Sequence, residues 1–139
     1  MATRILFVDD QSMWRMTVGT FLKLGGYSVL TAQNSKEALA HAQGGEVEAV
    51  IMDVNLAGED AAELILRLKT SLPDAPIILY TALEENKEQV QHLLKQGARH
   101  YMRKGNLKDL VRWLDERVKS CERKPAAVRL IPAGAWQVL

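Results

Sequence analysis

Asp9, Asp10, Asp53, Thr81 and Lys104 each stand just after a short apolar or mixed run, and together their types suit one chemistry. Asp9 and Asp10 follow Ile5-Leu6-Phe7-Val8, Asp53 follows Ala49-Val50-Ile51-Met52, and Thr81 follows Ile77-Ile78-Leu79-Tyr80. Lys104 follows the more polar Arg99-His100-Tyr101-Met102-Arg103. Carboxylates gathered in one place repel one another and resist full ionisation unless a cation joins them. Hard oxygen ligands with room for water suit magnesium, which takes one or two carboxylates and shares its other positions with water and phosphate oxygens. A carboxylate beside such an ion can attack a phosphoryl group and become an aspartyl phosphate. Little else is required, because phosphoryl transfer rests on positioning and charge neutralisation. Lys104 offers a point charge for phosphate oxygens, Thr81 a short hydroxyl donor, and Ala82 a backbone N–H. Singly, each residue has a plainer explanation: helix capping for Asp9, Asp10 or Thr81, and solvated surface for Lys104. Jointly they make a poor accident, because each marks the end of its own run.

For these groups to meet, their runs must be parallel strands with carboxyl ends on one edge, where open α/β sheets gather ligands. Runs without alternation, such as Ala49–Met52, read as strands buried on both faces, as a parallel sheet demands. Between them lie helical patterns. Ser12 is placed to cap a helix carrying Trp14, Val18, Phe21 and Leu22, stopped by Gly25-Gly26. Tyr27-Ser28-Val29-Leu30 is a weaker strand. Asn34-Ser35 open a helix with Ala38, Leu39 and Ala42, closed by Gly44-Gly45. Leu64, Ile65, Leu68 and Leu72 mark the next helix, stopped by Pro73 and Pro76. A charged helix from about Glu85 follows, with Val90, Leu93 and Leu94 inward and Gly97 as its stop. The polar run Arg99–Arg103 fits an edge strand. Asn106 then caps a helix with the stripe Leu107, Leu110, Val111, Leu114 and Val118. Strict strand–helix alternation predicts an α/β fold with a parallel sheet and helices on both faces.

Composition agrees with a small globular protein. The chain has 139 residues, 47% hydrophobic and 25% charged, with formal net charge +1. That charge makes no global case for nucleic acid, and no apolar run approaches a membrane span. The single cysteine, Cys121, cannot form an internal disulfide, which fits a reducing, cytoplasmic setting. His41, His92 and His100 have no metal-ligand spacing. Met13 and Met16 beside Trp14 read as packing, with Trp14 near the acidic edge. Lys124-Pro125 breaks the last helix, so one domain over residues 1–123 and an apolar tail over 124–139 are expected. The tail reads as a folded-back terminus, a hairpin or a partner-binding arm, and permits either a monomer or a dimer.

The pattern Asp9-Asp10, Asp53, Thr81-Ala82 and Lys104, in this order, resembles the receiver domains of two-component response regulators, the chemotaxis-regulator-like family. The resemblance covers roughly residues 3 to 122. It implies a flavodoxin-like (βα)5 doubly wound sheet of order 2-1-3-4-5, with Asp53 as phosphoacceptor. Asp10, Asp53 and the Asn55 carbonyl would hold magnesium, with Asp9 acting largely through a water. Thr81 and Lys104 would contact the phosphoryl group, and Tyr101 matches the family's switch aromatic. A sensor histidine kinase or histidine phosphotransferase would supply the phosphoryl group. A non-enzymatic protein–protein signal would follow from the helix 4–strand 5–helix 5 face or the tail.

Three departures stand out. Gly105 replaces the family's usual proline after the lysine, and Ala57 and Ala61 replace a proline and a glycine after the acceptor. A non-proline cis bond costs about 3 kcal/mol, so either a trans Lys104–Gly105 bond or a more mobile lysine is expected. Losing the glycine restricts the entry into the third helix. These departures keep a second reading open, a pseudo-receiver that binds partners without switching, and the tail, which fits either case, leaves open a receiver excised from a larger hybrid protein. An aspartyl-phosphate hydrolase needs Asp-x-Asp after the first strand, which Asp9-Asp10-Gln11 does not provide.

Overall fold

The structure, a computed structural model, describes residues 2–82 and 87–119. Strand and helix alternate as β1 (Arg4–Val8), α1 (Ser12–Leu24), β2 (Ser28–Ala32), α2 (Ser35–Gln43), β3 (Ala49–Met52), α3 (Ala61–Ser71), β4 (Ile77–Thr81), α4 (Lys87–Gln96), β5 (His100–Arg103) and α5 (Leu107–Leu114). A π-helical turn over Asp115–Lys119 continues α5. The strands pair in parallel in the order β2-β1-β3-β4-β5, the flavodoxin-like order that the resemblance implied. Residues up to Leu107 form one compact unit with the whole sheet, and Lys108 begins a second. Within the second, Arg112 pairs with Asp109 and the Arg117 guanidinium lies over the Trp113 ring. The expected tail over 124–139 and the helix start near Glu85 lie outside the described residues.

The continuous apolar runs are explained by burial on both sides of the sheet. Leu6, Val8, Val50, Met52, Ile77 and Leu79 share one core cluster with Ala38 and Ala42 of α2, Leu64, Ile65 and Leu68 of α3, and Val90 and Leu93 of α4. In the opposite phase Ile5, Phe7, Ile51, Ile78 and Tyr80 are buried too. There α1 lies along β1 and β2, and Phe7 meets Tyr80 edge-on with ring centroids 6.2 Å apart. Edge strand β5, paired only with β4, is the most exposed, as its polar sequence predicts.

Several element ends follow from local chemistry and one does not. Asn34 caps α2 by accepting the Glu37 N–H at 2.9 Å, and the Glu37 carboxylate accepts from Gln33 N–H at 2.9 Å. Asn34→Ala is expected to cost about 1 kcal/mol, read from the midpoint of urea unfolding. Ser12, expected as the cap of α1, is instead its first helical residue. Gln11 holds the cap position without a side-chain bond. The turn into α1 is fixed by Asp9, whose Oδ1 accepts the Gln11 N–H at 2.9 Å. The second strand starts one residue later and ends two residues later than its expected run Tyr27–Leu30, because its pairing with β1 extends to Val8↔Ala32.

Candidate functional site

Strand order puts the ends of β1 and β3 side by side, because the chain leaves β1 for β2 on one side and returns to β3 on the other. That is the switch point at which such sheets bind ligands. Hydrogen bonding continues one residue past the ends of β1, β3 and β5. Asp9 N–H donates to Ala32 O at 3.0 Å, Asp53 N–H to Val8 O at 3.0 Å, and Lys104 N–H to Thr81 O at 2.8 Å. The backbones that carry the site are therefore held as firmly as the sheet.

The side chains converge as their positions predict. Asp9, Asp10 and Asp53 each present a carboxylate oxygen within 4.8 Å of the others. Asp9 is fully buried, Asp53 is 6% exposed, and Asp10 is exposed. The buried Lys104 ammonium lies 2.7 Å from Asp9 Oδ2 and 3.0 Å from Asp53 Oδ2. The loop after β3 is tied to the acidic group twice. Asn55 N–H donates to Asp53 Oδ1 at 3.1 Å, and Ala57 N–H to Asp10 Oδ2 at 3.1 Å. Arg15 Nη1 donates to the Asp9 carbonyl at 2.7 Å.

Burial pushes the Asp53 carboxyl above its ordinary value, although the Lys104 and Asn55 hydrogen bonds oppose the rise. An ionised Asp53 therefore favours more positive charge nearby than Lys104 alone supplies. Asp9 Oδ2 points the same way. Lys104 pairs with it electrostatically but does not meet it along a hydrogen-bonding direction, so this buried oxygen lacks a hydrogen-bond partner. A buried acceptor in that condition is costly. The all-oxygen donor set with one exposed carboxylate fits a hard divalent cation that keeps part of its water.

Thr81, buried at the end of β4, and the exposed Ala82 line a cleft of about 570 Å3 together with Asp10, Asp53, Asn55 and Lys104. Tyr101 is not among the cleft's residues. It is half-buried on β5 opposite Leu79, packed against the core cluster shared with α2, α3 and α4. The sequence departures are absorbed locally. Ala61 is the buried first residue of α3, Asp60 caps that helix at Ala62 and Glu63 N–H, and Gly58 takes the positive φ of +70° in the loop. No described peptide bond is cis. Of the two expectations for Lys104–Gly105 the trans bond is found, with the lysine held by two carboxylates.

Two residues that sequence reasoning did not assign to the site, Trp14 and Tyr80, belong to it. The Lys104 ammonium lies 4.9 Å from the centroid of the Trp14 ring. The Tyr80 hydroxyl accepts the Gly105 N–H at 3.1 Å. The available signal was a phenol closing the otherwise aliphatic run Ile77–Tyr80, one residue before Thr81.

Comparison with known proteins agrees with this geometry. The model of the response regulator receiver domain family matches residues 5–115. The response regulator MprA of Mycolicibacterium vanbaalenii is 36% identical over 104 residues, covering 75% of this chain and 45% of that protein. The chain spans less than half the length of the first curated relatives it matches. A Burkholderia pseudomallei response regulator, solved with a phosphorylated aspartic acid, calcium ion and citrate, aligns with TM-score 0.73 and 28% identity over 89% of this chain and 73% of that one. The response regulator TrrA of Thermotoga maritima, in complex with Mg(2+)-BeF, aligns with TM-score 0.72 and 30% identity over 82% of this chain and 97% of that one. Sequence profile, relatives and backbone thus meet on one answer: the chain belongs to the response regulator receiver domain family of two-component systems.

Proposed function

We propose that this receiver, assigned to residues 1–123 with 124–139 as an extension, accepts a phosphoryl group on Asp53 in a magnesium-dependent step. The observation that carries this reading is the setting of Asp53: a buried carboxylate at the floor of an open cleft, flanked by two further carboxylates and one ammonium. Asp10, Asp53 and the Asn55 carbonyl would hold magnesium, with Asp9 acting through a water. The ion supplies charge neutralisation for the incoming phosphoryl oxygens. An Asp53 carboxylate oxygen attacks the phosphorus of a phosphohistidine. The new O–P bond forms as the P–N bond breaks, and the electron pair returns to the imidazole nitrogen, which takes up a proton. Lys104, shared in this structure between Asp9 and Asp53, follows the phosphoryl oxygens, and the Thr81 hydroxyl and Ala82 N–H receive the others. Tyr101 is the aromatic through which the changed position of Thr81 would reach a downstream protein.

The donor would be a sensor histidine kinase or a histidine phosphotransferase. A protein partner is supported by the α1 surface, where Met13 and Met16, read from the sequence as packing, are instead 62% and 72% exposed beside the cleft residue Trp14. Met16→Glu is expected to slow transfer from a histidine kinase active on the wild type by about tenfold, a typical loss of an interface anchor. Phosphorylation by acetyl phosphate should be unchanged, because that donor needs no docking surface.

Incubation of the protein with acetyl phosphate, or with beryllofluoride, and magnesium tests the reading directly. Mass spectrometry should show one added phosphoryl group, and amide resonances around Asp53 and Thr81 should shift with beryllofluoride. No response in the wild type would refute it. The pseudo-receiver reading draws on a specific observation, the Lys104 ammonium already seated between the carboxylates a metal needs. It is distinguished by magnesium affinity, which would be weak if Lys104 holds its place.

A further inference from the structure

Lys104 carries a long, flexible stem with a point charge at its tip, so its aim must be set by its surroundings. The residue after it gives little help. Gly105 has φ +103°, in the left-handed region open to glycine, and nothing lies within 4 Å of the place its Cβ would take. Besides the ion pairs with Asp9 and Asp53, two contacts from other elements constrain Lys104. Gly105 N–H donates to the Tyr80 hydroxyl of β4 at 3.1 Å, which anchors the turn that follows β5. The Trp14 ring of α1 lies under the Lys104 ammonium at 4.9 Å. Trp14 and Tyr80 touch each other edge to face, with centroids 6.2 Å apart and planes at 88°. Tyr80 is fully buried and braced on its other side by Phe7. Lys104, Gly105, Tyr80 and Trp14 thus close a ring of contacts drawn from three elements.

We propose that Tyr80 and Trp14 are positioning residues for Lys104, the phenol fixing the backbone turn and the indole face fixing the ammonium. This rests on the phosphoacceptor reading of Asp53. An aromatic face attracts an ammonium without neutralising it. Lys104 therefore keeps its charge for phosphoryl oxygens, and its contact with Trp14 can persist while its carboxylate partner changes. A third carboxylate in the place of Trp14 would hold the lysine as well but would repel the phosphoryl group.

Tyr80→Phe, Trp14→Leu and Trp14→Phe test this with two readouts. The first is the rate of phosphorylation by acetyl phosphate at saturating magnesium, alongside the apparent magnesium affinity. Tyr80→Phe and Trp14→Leu should each lower the maximal rate by about five- to tenfold, the scale of one partly desolvated cation–aromatic or hydrogen-bond contact. Magnesium affinity should stay within about twofold, since neither residue offers the ion a ligand. Trp14→Phe, which restores an aromatic face, should recover most of the rate. The second readout is nuclear magnetic resonance of the metal-free protein. The Lys104 ε-methylene protons should resonate upfield in the wild type because of the indole ring current. They should move toward ordinary lysine values in Trp14→Leu, and in Tyr80→Phe together with the Gly105 amide. Unchanged rates, equal losses in Trp14→Leu and Trp14→Phe, or unshifted ε-protons in the wild type would overturn the proposal. If the wild type takes up no phosphoryl group, the phosphoacceptor reading fails, and the lysine resonances alone then decide whether the clamp exists.

Discussion

Lys104→Ala is expected to cost about 3–5 kcal/mol of folding stability in magnesium-free buffer, the usual range for removing one partner of a buried ion pair. The Lys104 side chain is 4% exposed and stands between Asp9, fully buried, and Asp53, 8% exposed at the side chain. Without the ammonium, two buried carboxylates are left facing each other across the end of the sheet. Magnesium should restore much of the loss, because it binds the folded arrangement and supplies the missing positive charge. Urea unfolding with and without magnesium measures both effects. The pH dependence has a definite sign. Asp53 already sits above its ordinary value of 3.8 in the folded protein because of burial, and removing Lys104 raises it further. An ionised carboxylate in that position opposes folding, so the deficit of the variant is fullest at neutral pH and narrows as acid protonates Asp53. A variant as stable as the wild type in the presence of a chelator would mean that the ammonium does not balance these carboxylates.

Asp53→Asn should abolish uptake of a phosphoryl group from acetyl phosphate, with no added mass, and should at the same time stabilise the metal-free protein. The two outcomes have a common origin. Among the buried groups, two carboxylates share one ammonium, so removing Asp53 leaves a balanced Asp9–Lys104 pair, whereas removing Lys104 leaves two unbalanced charges. The asparagine side-chain oxygen can still accept from Asn55 N–H, which bonds Asp53 Oδ1 at 3.1 Å. A gain of about 1 kcal/mol is expected, equivalent to roughly 3–5 °C in Tm for a domain of this size. Differential scanning calorimetry in chelator reads it, and magnesium should stabilise the variant much less than the wild type. A variant melting below the wild type would show that Asp53 is favourably charged in the fold, contrary to the direction set by its burial.

The ion pairs of Lys104 are not visible in any local stretch of sequence. Lys104 and Asp53 are 51 positions apart, and whether they meet depends on β4 lying between β3 and β5 in a particular register. The same is true of Trp14 and Tyr80, joined by the packing of α1 on the face that carries Phe7 and Tyr80. It is equally true of Tyr101, which the resemblance marks as functional but which the alternation of β5 turns toward the core cluster rather than into the cleft.

What the sequence determined by itself was of short range. Unbroken apolar runs specify strands covered on both faces, helical spacing specifies the segments that cover them, and Asn34 and Gly25 mark helix ends through bonds within a turn or two. The placement of Asp9, Asp10, Asp53, Thr81 and Lys104 at run ends then puts them on one rim, because parallel strands share a direction. Tertiary structure decided what happens at that rim: which strands are neighbours, that Lys104 sits between two carboxylates, that the Trp14 indole lies under its ammonium, and that the Tyr80 phenol accepts the N–H of the residue after it. Periodicity and capping involve residues close along the chain. Neighbour choice and side-chain aim depend on register between strands distant in sequence, which only the assembled core enforces.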